Sequence, residues 1–308
     1  MSLISARRKN GVKPPMQDKI LYFVSGSILV LFTLLVLYPI LYVVSSSFSS
    51  GLAISTGRVR LFPVDFSLDG YKAVLDHKNI GTGYRNTFIY TTSGTLLSVA
   101  ITMVAAYPMS RRDMQWKSFY MILFTITMFF SGGLIPTYIL MQNLNLINSR
   151  WAMILPGTVS AYNVFIFRTF FRQIPASLSE SAYLDGASEF KVLWQIIVPL
   201  SKPLLATFAL FAIVGVWNSW FNALLYLNDE AKYPLQFVLR NYLFELDNTQ
   251  LQHRAGVVGT VNPLQMRRID PKGVRMAMIV VTMFPIMAVY PYFQKFFMKG
   301  VMIGAIKG

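Results

Sequence analysis

Residues 173–200, QIPASLSESAYLDGASEFKVLWQIIVPL, read as a helix, a glycine break and a second helix. Ser177 or Ser179 can cap an amino terminus, Glu180 comes early, where the helix dipole favours an acid, and Gly186 can close the first helix in a left-handed turn. Ala182, Leu184, Ala187, Phe190, Val192 and Leu193 supply apolar surface, which suits a short helix for docking in a groove of another protein. The surroundings are of another kind. On either side lie long stretches almost free of charged side chains.

An ionised side chain at the centre of a bilayer costs roughly 2.5 to 3.5 kcal/mol on the mildest scale, so charge-free intervals mark candidate spans. Six such intervals occur: Ile20 to Val44, then those between Arg85 and Arg111, Lys117 and Arg150, Arg150 and Arg172 (with Arg168 near its end), Lys202 and Asp229, and Arg275 and Lys295. Each reaches about 20 residues, the length that carries a helix at ~1.5 Å per residue across ~30 Å of hydrocarbon. The expected fold is all-α, a polytopic membrane protein with six transmembrane helices. A polar tail at 1–19 precedes one membrane domain at 20–295, and a short tail at 296–308 follows it. The segment at about 173–200 joins the fourth and fifth spans, and longer loops cover about 46–85 and 227–275.

Composition agrees, since 54% of the 308 residues are hydrophobic and 13% are charged, against about 25% charged in ordinary soluble domains. The first apolar run follows Arg7, Arg8, Lys9, Lys13 and Lys19, as a signal-peptide core would. It is longer than the roughly 7 to 15 apolar residues of such a core and leads into Ser45-Ser46-Ser47-Phe48 without a convincing cleavage site, so it is expected to remain as a helix. That basic cluster, with Arg111, Arg112 and Lys117 in one short loop against a lone Arg150 in another, places both termini in the cytoplasm. The net charge of +15 could point to nucleic acid, but the basic residues stand in short clusters between apolar runs, where they set topology. Membrane lipid is the expected surrounding, and no nucleic-acid partner is. With no cysteine and only His77 and His253, no metal site is expected either. Tyr38, Tyr42, Trp151, Tyr290 and Tyr292 fit interfacial anchoring, and Pro136, Pro156 and Pro285 fall inside spans, where kinks arise.

The 173–200 segment resembles the EAA loop of the permeases of binding-protein-dependent ABC importers: Glu-Ala-Ala, three residues, Gly, nine residues, then Ile-x-Leu-Pro. Glu180, Ala182, Gly186, Ile196 and Pro199 occupy the pattern positions; Ser181 replaces the middle Ala and Val198 the Leu, two small changes that roughly keep size. The carboxyl end from Pro291 to Gly308 is similar to the tail of the carbohydrate-uptake permeases related to the shorter maltose permease. The resemblance implies a type I importer permease in the bacterial inner membrane whose loop forms a coupling helix seated in a cleft of an ATPase. Glu180, Ser181, Ala182, Leu184, Asp185 and Gly186 are the coupling residues so implied. The implied partners are a second related permease forming a heterodimer, two ABC ATPase subunits holding ATP and Mg²⁺, an extracytoplasmic solute-binding protein and an oligosaccharide. The branch most like this chain imports plant or algal oligosaccharides, including acidic fragments such as oligogalacturonide or alginate. The chain itself carries no cofactor in this reading.

Sugars are held by aromatic faces with amide and hydroxyl groups, and Tyr162, Asn163, Trp217, Asn218 and Asn222 are such groups at membrane depth, with Ser219 and Trp220 beside them. Interhelical hydrogen bonding is the plainer role for any one of them. In the resembling family a loop before the last helix probes the binding protein; Gly256, Gly259 and Thr260 lie in the matching place, where a simple glycine-rich turn is an equal reading. No GxxxxGK[ST] occurs, so nucleotide hydrolysis belongs to another chain, and Ser131-Gly132-Gly133 reads as small residues permitting a bend. Glu180, Asp185 and Glu189 form no glycosidase-like acid pair facing a cleft, which argues against an enzyme. An importer of another solute, such as a neutral disaccharide or glycerol phosphate, would share this architecture. A gradient-driven secondary transporter would instead hold acids within its spans, and every Asp and Glu here lies outside them.

Overall fold

A computed structural model describes residues 16–254 and 271–305. The described residues are helical, with a single isolated bridge between Ser49 and Phe66 and no strand, as hydrocarbon demands of a backbone that must satisfy its own polar groups. In chain order the helices are α1 (Met16–Ser47), α2 (Gly51–Ser55), α3 (Asp69–Leu75), α4 (Ile80–Ser110), α5 (Lys117–Phe129), α6 (Leu134–Asn143), α7 (Trp151–Ile154) and α8 (Ala161–Phe171). They continue with α9 (Ala176–Leu184), α10 (Glu189–Leu200, with a π turn at Leu193–Ile197), α11 (Lys202–Trp217), α12 (Phe221–Tyr226), α13 (Leu235–Arg254) and α14 (Pro271–Ala305).

Among the described residues α1, α4 and the Pro271–Phe296 part of α14 are long and apolar enough to cross a membrane, and two bent pairs pass the same test jointly. The interval from Lys117 bends by 114° between α5 and α6. The bend falls at Phe130-Ser131-Gly132-Gly133, where Gly133 adopts φ +81° and ψ −176°, a backbone region essentially reserved for glycine. The second pair, α10 and α11, bends by 81° at Ser201, bracketed by Pro199 and Pro203, neither of which can donate a backbone hydrogen bond.

Two further intervals are not continuous helices. The fourth is split into α7 and α8 by Leu155–Ser160, where Pro156 removes a donor and Gly157 sits at φ +80°. The 11 residues of α8 cover about 16 Å, roughly half the hydrocarbon thickness. In the fifth, α11 stops at Trp217, so Asn218 to Trp220 lie in a break and Asn222 belongs to α12. Here the amide of Asn218 donates to the Val214 carbonyl (3.0 Å), a side chain competing for helix-terminal backbone.

The described residues divide into two compact units, 16–72 with 271–280, and 73–254 with 281–305. In the first, Ala53, Ile54 and Val59 form a small core. Gly70 meets the backbone of Gly273 so closely that a Cβ would stand 2.8 Å from its carbonyl oxygen. In the second, α4 is the central strut. Its Met103, Ala106, Tyr107 and Met109 build one core with Val164, Phe167 and Phe171 of α8, Val192, Leu193 and Ile197 of α10, and Leu204 of α11. Toward its amino end, small and polar residues take over. A Cβ at Gly83 would lie 3.2 Å from the Leu235 Cα, Asn86 donates to the Ala231 and Tyr233 carbonyls (2.8 and 3.1 Å), and Tyr90 donates to the Lys232 carbonyl (2.8 Å). The Leu235 N–H donates to Thr87 Oγ1 at 2.8 Å. These polar groups of α4 complete the backbone bonding of the connection between α12 and α13, which holds one 3₁₀ turn at Glu230–Lys232, the condition for burying it.

Candidate functional site

The 173–200 segment folds as helix, turn, helix, and its turn is closed as the sequence requires. Gly186 sits at φ +75°, and its amide donates to the Tyr183 carbonyl (3.0 Å) while that of Ala187 donates to Ala182 (2.9 Å). These paired bonds form a Schellman-type carboxyl cap. The amino-terminal capping differs from expectation. Pro175, extended at ψ 128°, starts α9 without a side-chain cap, so Ser177 and Ser179 fall inside the helix and Glu180 lies a full turn beyond the dipole's end. Proline's fixed φ sets the start earlier than the serines would. The second helix is capped by Ser188, whose hydroxyl accepts from the Lys191 N–H (3.4 Å).

Helix α9 presents Glu180, Ser181, Leu184, Asp185 and Gly186 outward, and Leu184 is 89% exposed. Ala182 and Tyr183 turn inward onto the core of α4 and α8.

What holds this helix in place was not visible in the loop's sequence. Glu189 Oε2 accepts from the hydroxyls of Tyr107 (2.9 Å) and Tyr183 (2.8 Å), and Glu189 Oε1 meets Arg111 just past the end of α4. Arg111 also donates to Tyr183 and grips Asp113 through two nitrogens at 2.8 and 2.6 Å. Burial pushes the Glu189 carboxyl up, but hydrogen bonds from Tyr183, Tyr107 and Arg111 and the charge of Arg111 outweigh it and hold the group below the usual carboxylate range. Asp113 is lowered chiefly by its hydrogen bonds from Arg111, whose own guanidinium is raised by the same contacts. Arg168 adds a bond from Nε to the Met109 carbonyl (3.1 Å). The cluster ties α9 and α10 to the end of α4, the central helix of this unit. An adjoining cavity of about 590 Å³ is lined by Arg111, Arg172, Glu180 and Tyr183.

The sequence-predicted pathway residues separate. Asn163 and Asn222 come together, with Ser219, on a cavity of about 310 Å³ between α4, α8 and α11. Trp217 is buried and spends its indole N–H on the Thr282 carbonyl (3.1 Å). Tyr162 is exposed, and Asn218 accepts from Gln236 Nε2 (3.1 Å). Gly256, Gly259 and Thr260 lie outside the described residues.

Residues 84–303 match the family described as "Binding-protein-dependent transport system inner membrane component". The chain belongs to this family. The permease is 40% identical over 271 residues to Protein LplC of Bacillus subtilis (strain 168), covering 88% of this chain and 89% of that one. It is 36% identical over 293 residues to the polygalacturonan/rhamnogalacturonan transport system permease protein YtcP of the same organism, covering 95% of this chain and all of that one. In three dimensions it is similar, with TM-score 0.81, 33% identity and coverage of 93% and 99%, to a chain of a bacterial ABC transporter involved in the import of the acidic polysaccharide alginate. The resemblance drawn from Glu180 to Pro199, the all-α permease fold and the inner-membrane location are thereby borne out.

Proposed function

We propose that this permease is one of two related membrane subunits of an ATP-driven importer of oligosaccharides, in particular acidic fragments of plant or algal polysaccharide. The observation that carries the coupling role is the exposed helix α9, with Leu184 bare at its end and Glu189 anchored to Arg111 at its base. Two ATPase subunits hold ATP and Mg²⁺, which supply the free energy of the cycle; this chain's part is mechanical. On closure of the ATPases, α9 moves with the cleft that holds Glu180 to Gly186, the Arg111–Glu189 tie passes the displacement to α4, and the sugar path opens outward to an extracytoplasmic binding protein. Six membrane crossings with both termini in the cytoplasm put α9 on the ATPase side, with the broken fourth interval crossing as α7 and α8 together.

Support for an acidic sugar comes from the relatives: YtcP is described as a polygalacturonan/rhamnogalacturonan permease, and the structural neighbour takes part in alginate import. The net charge of +15 suits steering of an anionic substrate. Deleting the gene and following growth on oligogalacturonide, alginate oligomers, neutral disaccharides and glycerol phosphate tests the substrate class. Loss of growth on an acidic oligomer alone is expected; loss confined to a neutral sugar or to glycerol phosphate overturns the acidic reading while leaving the importer architecture.

A further inference from the structure

The break between α11 and α12 meets α13 at a feature that coupling does not use. Arg240 places its guanidinium carbon 3.5 Å from the centroid of the Trp220 ring, with the Phe244 ring at 5.4 Å. Gln236, Arg240 and Phe244 follow one another at intervals of four and so share one face of α13. Gln236 donates to Asn218 Oδ1 (3.1 Å), which fixes the break against that face. Ser219 and Asn222, on either side of Trp220 and Phe221, line the 310 Å³ cavity with Asn163.

Among the described residues no carboxylate pairs with Arg240, and no protein acceptor takes its N–H groups. That is unusual for a half-buried arginine, which ordinarily finds a partner for its charge. Stacking explains how it is held: cation–π attraction keeps the guanidinium over the indole face, which leaves its N–H donors available to a ligand. A planar fork so presented matches a carboxylate through two parallel hydrogen bonds, a geometry lysine cannot offer.

We infer that Arg240, with Gln236 beside it and Trp220 beneath it, forms a subsite for the carboxylate of a uronic acid residue on the translocation path. This rests on the proposed import of acidic oligosaccharides and assigns the group that recognises the acid. Trp220 positions the guanidinium, Gln236 offers its amide carbonyl to a sugar hydroxyl, and the adjoining cavity receives the neighbouring ring.

The test is equilibrium binding of labelled trigalacturonate and of neutral galactotriose to the complete importer, trapped with vanadate and ATP in nanodiscs of phosphatidylcholine alone. Wild type is expected to retain trigalacturonate. Arg240→Gln should weaken that binding about tenfold, the loss of one bidentate charged contact, with galactotriose unaffected, and Arg240→Lys should fall between. Gln236→Ala, which keeps the guanidinium itself, should weaken it about threefold. Equal affinity of wild type and all three variants for trigalacturonate overturns the subsite while leaving acidic import standing. A wild type that retains galactotriose but no trigalacturonate, or neither, overturns the acidic-substrate reading and the subsite with it. A defect of Arg240→Gln that shows only when phosphatidylglycerol is added assigns the guanidinium to lipid headgroups and likewise overturns the subsite.

Discussion

Replacing Arg111 with Gln removes the charge that ties α9 and α10 to the end of α4. A hydrogen bond to a charged group contributes about 1.5–3 kcal/mol when shielded from water. The Arg111 side chain is 26% exposed but that of Glu189 is 56% exposed, and screening at such a surface pulls the value toward about 1 kcal/mol. The hydroxyls of Tyr107 and Tyr183 still hold Glu189 in the variant, so α9 stays helical and loses only stiffness in its attachment. With 1.4 kcal/mol equal to a factor of ten, the properly attached loop should become about fivefold less favoured relative to loosened ones. Arg111→Gln, Glu189→Gln and the double variant, each reconstituted with ATPases and binding protein, form a double-mutant cycle read as substrate imported per ATP hydrolysed. Each single variant should lower that ratio about fivefold, and the double should be little worse than the worse single, giving a coupling of about 1 kcal/mol. Retention of ATPase on the permease should change far less than the ratio. Additive losses, or a ratio that stays at the wild-type value in both singles, refute the view that this contact transmits the motion.

Leu184→Asp should weaken ATPase binding about 10- to 100-fold, as loss of a ~1.5–3 kcal/mol apolar anchor requires, while the permease alone keeps its thermal stability because the side chain is 89% exposed; titration of purified ATPase onto nanodisc-held permease measures it. Gly186→Ala should cost about 1 kcal/mol from backbone conformation alone, since an added Cβ there meets nothing within 4 Å, and helix α9 should show faster amide exchange at its carboxyl end. Glu189 and Asp113 are both held below their ordinary values, so their attachment energy is fully present above about pH 4.5 and is lost as pH falls through the lowered values. Amide exchange at α9 should therefore be flat from pH 5 to 8, after correction for intrinsic rates, and rise only below about pH 4. Gly83→Leu should destabilise the permease by more than 2 kcal/mol on the scale of overpacked cores, because even a Cβ would stand 3.2 Å from the Leu235 backbone; a lowered unfolding temperature of the purified permease measures it.

Much of this was legible in the chain, and what was hidden was hidden for physical reasons. Absence of charge marks where a segment can lie in hydrocarbon, and α1, α4 and α14 follow from it directly. It does not measure whether the helical hydrogen-bond ladder is continuous. Pro156-Gly157 carried a signal for the break in the fourth interval, whereas Asn218, whose amide competes for the Val214 carbonyl, carried only a faint one. Gly186 was readable because only a residue without a Cβ adopts its φ of +75° cheaply. The attachment of α9 was not readable, because Arg111 and Glu189 stand 78 positions apart and no periodicity joins them. The same holds for Arg240 over Trp220, which only the fold brings together.

The coupling role of α9 is tested most directly by isolating the tagged permease from its native membrane in mild detergent, beside a Gly186→Pro variant whose ring forbids the φ of +75° at the turn. The account predicts that an ATPase and a second permease co-purify stoichiometrically with the wild type, and that the variant keeps the second permease and loses the ATPase. Recovery of the chain alone, or of an unchanged complex from the variant, contradicts it.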